Sequence, residues 1–124
     1  VSNALVSHID LFASMAGLVG GKIADQAAPD SRNQLETLLG KDSKGRDYII
    51  EQAGTLSVSD GNWKYITPGN GAVYNKLTNT ELGNNKEVQL YNLKDDVGEK
   101  VNIAAQHPEI IERLRSILEK EKNK

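Results

Sequence analysis

The chain has 124 residues, of which 38% are apolar and 26% charged, and its formal net charge is −2. Its size and composition predict an ordinary globular domain, and the nearly balanced charge argues against nucleic acid and anionic membranes as partners. The chain contains no cysteine, which excludes a disulfide framework and a thiolate zinc site. Its first apolar stretch is interrupted by His8, Asp10 and Ser14 and is too polar to span a bilayer.

A helix is predicted near the N-terminus. Ser7 and Asp10 have the Ser-x-x-acid spacing of a capping box, in which the hydroxyl and the carboxylate each satisfy a backbone amide of the first turn. Gly17 or the pair Gly20-Gly21 would end this helix. Its apolar arc is unusually wide and consists of Ile9, Leu11, Phe12, Ala13, Met15, Ala16 and Leu18.

A connecting region is predicted between this helix and the first strand. Pro29 and the small or polar residues around it indicate a loop over residues 22–34. A short helical turn over residues 34–39 follows and is ended by Gly40, and residues 40–45 form a solvated turn.

An antiparallel hairpin is the centre of the predicted fold. Within residues 56–66, Asp60-Gly61 is a strong signal for a two-residue turn. A turn at this position places Val58 opposite Trp63. Moving the turn one residue along the chain keeps the same side chains on the same face. The face that we expect to form the core carries Leu56, Val58, Trp63 and Tyr65.

Two further strands and a final helix complete the predicted fold. Residues 48–51 and 88–93 are typical of strands, and Pro108 suits the first position of a helix. On the exposed side of this helix, Glu109 and Arg113 have the spacing of an ion pair. The helix should cover the hairpin with Ile110, Ile111, Leu114, Ile117 and Leu118. The sequence thus predicts an α+β fold, an antiparallel sheet of about four strands against a C-terminal helix, preceded by an N-terminal helix.

The least regular segment is predicted to be one long loop over residues 67–86, which includes five Asn residues. Loops of this length without secondary structure are uncommon in compact domains and are usually either functional or disordered. A binding loop and a plain surface insertion both remain open for this segment.

No catalytic or metal-binding constellation is predicted from the residues themselves. His8 and His107 each lie at a predicted helix start, without a neighbouring nucleophile or the spacing of metal ligands, which favours structural roles. Asp95, Asp96 and Glu99 lack the acid and glycine spacing of a calcium-binding loop, and a charged turn is the better interpretation.

Several short motifs follow one another in an order that is typical of a known family. They are Val-Ser-His-Ile-Asp-Leu-Phe at 6–12, Leu-Leu-Gly-Lys at 38–41, Gly-Arg-Asp at 45–47, Gly-Asn-Trp-Lys-Tyr-Ile at 61–66, Gln-Leu-Tyr-Asn-Leu at 89–93, and Asp96-x-x-Glu99-x-x-Asn102-Ile103-Ala104 before a Pro-initiated helix. In this order they resemble the C-terminal quarter of a sulfatase of the arylsulfatase type, in the alkaline phosphatase superfamily. One departure is Val97, where the family usually has Pro.

The resemblance implies that the chain is a C-terminal fragment that shapes the substrate entrance. In such sulfatases a large N-terminal domain carries the Cys-or-Ser-x-Pro-x-Arg signature, whose first residue becomes formylglycine, together with the calcium ligands and the catalytic His and Lys residues. This sequence lacks the signature, so no catalytic residue, metal ligand or cofactor is expected in it. We interpret residues 1–4 as a remnant of an expression tag, 5–46 as the end of the catalytic domain with its connecting helix and loop, and 47–124 as the C-terminal subdomain.

The resemblance also implies properties of the parent enzyme. Its cofactors would be calcium and a formylglycine residue, its substrate a sulfated small molecule or glycan, and its location the periplasm or the outside of the cell. The loop is expected to border the substrate pocket with Asn70, Tyr74, Asn75 and Asn79. The N-terminal helix would pack on the missing catalytic domain, and in this fragment it would favour a homodimer.

Two alternatives remain open at this stage. The chain would also suit a free-standing interaction or glycan-binding module, although the wide apolar arc of its first helix favours a piece of a larger enzyme. A parent that hydrolyses phosphodiesters or phosphonates would differ only in residues outside this chain.

Overall fold

The computed structural model describes residues 2–24 and 26–123, and the chain divides into two compact units between Ile49 and Ile50. Over these residues, no helix combines the length and the apolar character that crossing a membrane requires.

The first unit contains two helices, α1 (Asp10–Leu18) and α2 (Leu35–Leu38). Only the carboxylate half of the predicted capping box forms, because the Oδ2 atom of Asp10 accepts a hydrogen bond from the Ser7 N–H at 3.2 Å. A tertiary contact caps the helix instead: the hydroxyl of Ser31 accepts a bond from the Ala13 N–H at 3.0 Å and donates one to the Ile9 carbonyl at 2.6 Å. The helix therefore begins later than the Ser7 position that the pattern predicts.

The second unit is built on a four-stranded sheet. Its strands are β1 (Ile49–Ala53), β2 (Thr55–Ser59), β3 (Trp63–Ile66) and β6 (Gln89–Asn92), in the order β1-β2-β3-β6. The pairs β2–β3 and β3–β6 are antiparallel. The predicted first and fourth strands are confirmed, with ends that differ by one or two residues.

The register of the hairpin differs from the prediction. Val58 lies opposite Tyr65, and the turn is at Gly61-Asn62 rather than Asp60-Gly61. The carboxylate of Asp60 favours the observed turn, because its Oδ1 atom accepts hydrogen bonds from the N–H groups of Asn62 and Trp63 at 2.9 and 2.8 Å. The shift preserves the parity of the strands, so the apolar side chains keep the face that was predicted.

The C-terminal helix α3 (Pro108–Lys122) contacts β2 and β3, and the α+β prediction is confirmed. Val58, Leu90 and Leu114 are fully buried, and Tyr65 and Leu118 nearly so. Apolar burial on this side of the sheet is the main stabilising term of the second unit.

The predicted ion pair on the surface of α3 is wrong. Arg113 pairs instead with Asp60 of the hairpin turn, with Nη2 and Oδ2 2.7 Å apart, while Glu109 approaches His107 at 3.3 Å. Burial raises the pKa of Asp60, but hydrogen bonds from the Trp63 N–H and from Arg113 outweigh it and leave that pKa below its ordinary value. The helix is thereby tied to the turn by a contact that no local pattern encodes.

The segment predicted to be one loop contains a small hairpin. Two short antiparallel strands, β4 (Tyr74–Asn75) and β5 (Thr80–Glu81), pair within it. The prediction of an entirely irregular loop was therefore wrong for this part.

Candidate functional site

The face of the sheet that points away from α3 lines a cavity. This cavity has a volume of about 440 Å³ and lies between the sheet and residues 81–83 and 98–99. Ser57, Lys64, Gln89 and Tyr91 point into it from alternate positions of three strands. We call it the sheet cavity.

One ion pair at the sheet cavity joins two of the motifs noted in the sequence. The Nζ atom of Lys64 lies 2.8 Å from the Oε1 atom of Glu99, and both side chains are about three-quarters buried. Asp96 closes the turn that contains Glu99, since its Oδ2 atom accepts bonds from the Lys100 and Val101 N–H groups at 2.8 Å each. The turn forms with Val97 at the position where the resemblance expects Pro.

A second group at the sheet cavity is a chain of hydrogen bonds through Tyr91. Its hydroxyl donates to the Oε1 atom of Gln89 at 2.8 Å, and the Nε2 atom of Gln89 donates to the Gly83 carbonyl at 2.8 Å. Burial raises the pKa of Tyr91, and nearby acidic side chains raise it further. Tyr91 therefore remains a neutral donor at ordinary pH and is unsuited to act as a general base.

A smaller pocket of about 290 Å³ lies against the loop, and we call it the Asn pocket. Its lining includes Gly69, Asn70, Gly71, Asn84, Asn85 and Lys86. The Nδ2 atom of Asn84 donates to the Ala72 carbonyl at 2.8 Å, whereas its Oδ1 atom is buried and has no hydrogen-bond partner among the described residues. A buried acceptor without a donor costs about 1–3 kcal/mol of folding free energy. A ligand that donated a hydrogen bond to this oxygen would recover part of that cost.

The four site residues predicted from the sequence do not all meet in one place. Asn70 lines the Asn pocket, while Tyr74, Asn75 and Asn79 belong to the β4–β5 hairpin or its turn. Asn75 serves the hairpin itself, because its Oδ1 atom accepts a bond from the Leu77 N–H at 3.0 Å. Tyr74 is 52% exposed.

Sequence reasoning missed two other asparagines that line the Asn pocket. Asn84 and Asn85 belong to the Asn-rich stretch that marked the loop, so composition was the available signal. Which of the five amides in that stretch are buried depends on how the loop folds back, and this is not a local property.

The apolar face of α1 is exposed. The residues buried on this helix are Asp10, Ala13 and Ser14, which are small or polar. Large apolar side chains that are at least 40% exposed in this unit are Val6, Ile9, Leu11, Phe12, Met15, Leu18, Val19, Leu38 and Leu39. Exposed apolar surface of this extent is typical of an interaction site.

The hydrophilic side of α1 is held by a buried ion pair. Asp10 is 1% exposed and receives a two-pronged contact from the guanidinium of Arg46, whose Nε atom lies 2.6 Å from Oδ2. The Arg32 N–H donates to the same carboxylate at 2.9 Å, and Arg46 also donates to the Asp30 carbonyl at 2.6 Å. One carboxylate thus joins three segments of the first unit.

Two of the remaining titratable candidates make contacts with other side chains. The ring of His107 packs against Trp63 with centroids 5.2 Å apart. Asp95 accepts a hydrogen bond from the side-chain amide of Asn92 at 2.8 Å. Among the residues that the structure describes, no three His, Asp or Glu side chains are grouped so as to hold a metal ion.

Comparison with known proteins gives close relatives over nearly the whole chain. It is 46% identical over 123 residues to an N-acetylgalactosamine-6-O-sulfatase of Bacteroides thetaiotaomicron, a match that covers 98% of this chain and 24% of that protein. A solved structure described under the metabolism of multiple glycosaminoglycans by the same species has a TM-score of 0.88 and 46% identity, over 98% of this chain and 26% of that one. A solved 2-O GAG sulfatase shares the fold, with a TM-score of 0.61 and 20% identity over 90% and 23% of the two chains.

These matches fall on the C-terminal part of much longer proteins. The chain spans about a quarter of the length of these relatives. It matches no family model.

Proposed function

This chain corresponds to the C-terminal part of a sulfatase, and we propose that it completes an enzyme whose catalytic groups lie in the remainder of the parent protein. The observation that carries the proposal is the 46% identity over 98% of the chain to the N-acetylgalactosamine-6-O-sulfatase. By this similarity the parent would hydrolyse a sulfate ester of a small molecule or glycan, and N-acetylgalactosamine 6-O-sulfate is the first substrate to test.

The proposed chemistry of the parent depends on groups that this chain does not supply. A hydrated formylglycine would act as nucleophile and calcium would polarise the sulfate. The chain has no cysteine and no Cys-or-Ser-x-Pro-x-Arg signature, and its described residues do not form a ligand set for a metal ion. We therefore assign both cofactors to the part of the parent outside this chain, and a periplasmic or secreted location remains part of the same proposal.

The first prediction is that the 124-residue chain alone hydrolyses neither an aryl sulfate nor N-acetylgalactosamine 6-O-sulfate, whereas the full-length parent does. Sulfate release by both proteins, measured side by side, is the test. The control is the parent with the first residue of its signature replaced by Ala, which should be inactive. Turnover by the chain alone that a point substitution within it abolishes would refute the assignment of catalysis to the rest of the parent.

We further propose that the exposed apolar face of α1 is the surface on which the N-terminal part of the parent packs. The part of the relatives that this chain does not match, about three-quarters of their length, supplies a partner. Fully burying one such side chain contributes about 1.5–3 kcal/mol, so Phe12 and Leu18, which are 57% and 56% exposed, leave much stabilisation unused.

The second prediction concerns this face in the isolated chain. Without its partner the face should pair between two copies, so light scattering should give a mass that rises with concentration above 13.5 kDa. Replacing Phe12 and Leu18 together with Gln should keep the chain monomeric. The matched control replaces Leu77 and Val97, which are 96% and 85% exposed outside this face, and should leave association unchanged. A monomer at all concentrations for every variant would contradict both the homodimer and the severed interface.

The loop over residues 68–86 is proposed to border the substrate pocket of the parent, through Asn70, Tyr74, Asn75 and Asn79. Its support is the exposed aromatic ring of Tyr74 and the amide-rich pocket that the loop encloses with Asn70. Exposed aromatic and amide side chains are typical of surfaces that hold sugars by stacking and hydrogen bonding.

The third prediction tests this border in the full-length parent. Replacing Tyr74 and Asn75 together with Ala should raise KM for a glycan substrate or change substrate preference, because both side chains are on the exposed hairpin. Since neither is buried, Tm should change little. Val97→Ala, at a site 85% exposed outside the loop, serves as the control. Unchanged kinetics on every glycan tested would count against the role of the hairpin.

Two alternatives to this proposed function predict different experimental results. A free-standing glycan-binding module would bind its ligand without any N-terminal part and would be monomeric. A parent acting on phosphodiesters would convert such a substrate into a phosphate monoester and an alcohol, and one acting on phosphonate monoesters would give a free phosphonate and an alcohol, whereas neither would release sulfate in the activity comparison above.

A further inference from the structure

The Asn pocket has the lining of a site for a neutral, hydroxyl-rich ligand. Four of its side chains, those of Asn70, Asn84, Asn85 and Gln89, are carboxamides, and Val73 is the only apolar side chain among its described lining residues. Glu81 and Lys86 contribute one charge of each sign, so the lining is electrically balanced. A carboxamide offers both a donor and an acceptor, as a sugar hydroxyl does, so the two match in either direction.

Hydrogen-bonding capacity is left over inside this pocket. The Oδ1 atom of Asn84 is buried and without a donor in the described part of the chain. The Oδ1 atom of Asn85 accepts a bond from the Glu87 N–H at 3.0 Å, and this residue is exposed. Gln89 contrasts with them, because both ends of its amide are bonded to protein atoms.

Glycines pack closely over the Asn84 amide. A β-carbon at Gly71 would lie 2.8 Å from the Nδ2 atom of Asn84, and one at Gly69 would lie 3.0 Å from its Oδ1 atom. The oxygen is covered by segment 69–71 rather than open to water. Two of the three residues in this segment are glycines, whose backbone changes conformation at little steric cost, and binding at the oxygen requires this segment to move aside.

We propose that the Asn pocket binds an unsulfated sugar ring beside the sulfated residue of the glycan, and that the Oδ1 atom of Asn84 accepts a hydrogen bond from one of its hydroxyls. The identity of the glycan rests on the proposed sulfatase function, whereas binding of the ring requires no catalysis. A protein segment is a poorer occupant, because the cores of protein interfaces are rich in aromatic and apolar groups and this lining has neither in quantity.

The binding step is tested on the 124-residue chain labelled with ¹⁵N. Titration with N-acetylgalactosamine should move the side-chain amide signals of Asn84 and the backbone amides of Gly69 and Gly71. A single ring buries little surface, so the dissociation constant should be in the millimolar range. N-acetylgalactosamine 6-O-sulfate should bind within about threefold of the unsulfated sugar, since the pocket is proposed to hold the ring and not the sulfate.

Three variants make the result specific to the proposed contact. Asn84→Leu keeps the volume but removes the amide, and Gly71→Ala keeps the amide but presses a methyl group against it. Each should weaken binding by at least about tenfold, the loss expected for one hydrogen bond to a ligand. Asn123→Ala, at the end of α3, should bind like the original chain. Gly71→Ala keeps the test valid if Asn84→Leu fails to fold, which circular dichroism would reveal.

Several outcomes would overturn the proposal. One is that Asn84, Gly69 and Gly71 show no shift at sugar concentrations well above the millimolar range. Another is that the shifts are the same in Gly71→Ala. In the full-length parent, an Asn84→Leu variant with an unchanged KM for an oligosaccharide would also refute it. If the chain binds the sugar but the parent releases no sulfate, the sulfatase proposal fails and the ring site stands.

Discussion

Replacing Asp10 with Ala should unfold the first unit or destabilise it by about 3–5 kcal/mol, because it leaves the guanidinium of Arg46 buried without its counter-charge. The side chain of Arg46 is only 10% exposed, and Asp10 is its ion-pair partner. The substitution also removes the acceptor that orders the Arg32 N–H. Amide hydrogen exchange resolved by NMR is the measurement, since it reports the two units separately.

The control for this prediction is the exposed ion pair between Lys44 and Asp47 in the same unit. Their atoms approach to 3.0 Å, but both side chains are more than 60% exposed, so Asp47→Ala should cost no more than about 1 kcal/mol. If the amides of the first unit are as well protected from exchange in Asp10→Ala as in Asp47→Ala, the buried pair does not stabilise that unit.

The pH dependence of the first unit provides an independent check on Asp10. Burial raises the pKa of this carboxyl, but hydrogen bonds from Arg46, Arg32 and Ser7 outweigh it and leave the pKa below its ordinary value of 3.8. A carboxyl whose pKa is lower in the folded state than in the unfolded state stabilises the fold at every pH above its unfolded pKa. That stability is lost as the pH falls from about 3.8 through the folded pKa. In Asp10→Ala no carboxyl is present at this position, so the acid unfolding of the first unit should lack the loss of stability that protonation of Asp10 causes.

Leu114→Ala should destabilise the second unit by about 2–5 kcal/mol, the range for removing a fully buried leucine and leaving a cavity. Leu114 is 0% exposed and lies at the contact of α3 with the sheet. Urea unfolding followed by the fluorescence of Trp63, the single tryptophan of the chain, measures the change in this unit.

The same chemical change at an exposed site is the control for this prediction. Leu77 is 96% exposed on the β4–β5 hairpin, so Leu77→Ala should change the free energy of unfolding by less than about 0.5 kcal/mol. Equal effects of the two substitutions would mean that α3 does not cover the sheet as the structure has it.

The candidate site was partly predictable. The Asn-rich composition drew attention to the loop, and Asn70 does line the Asn pocket. Asn84, the residue with the unsatisfied oxygen, was not singled out, because nothing in its neighbours along the chain distinguishes it from the other asparagines. Its burial results from contacts with residues well before it in sequence, among them Gly69, Gly71 and Ala72.

The sequence by itself determined the fold class and the faces of its elements. Periodicity of two placed the apolar side chains of the hairpin on one face, and helical periodicity with Pro108 predicted α3 and its buried leucines. These features are local, since they depend on residues within a turn or a strand. The wide apolar arc of α1 predicted an interaction surface, and its large apolar side chains are exposed in the chain by itself.

Only the tertiary structure decided which polar groups meet. Asp10 looked like a helix cap and proved to be the buried partner of Arg46, and Arg113 paired with Asp60 rather than along its own helix. Two turn positions would leave the same side chains on the core face of the hairpin. The observed one is favoured because the Asp60 carboxylate accepts two backbone N–H bonds there. Polar pairing depends on distance and burial between segments far apart in sequence, and neither is encoded in the spacing of residues along the chain.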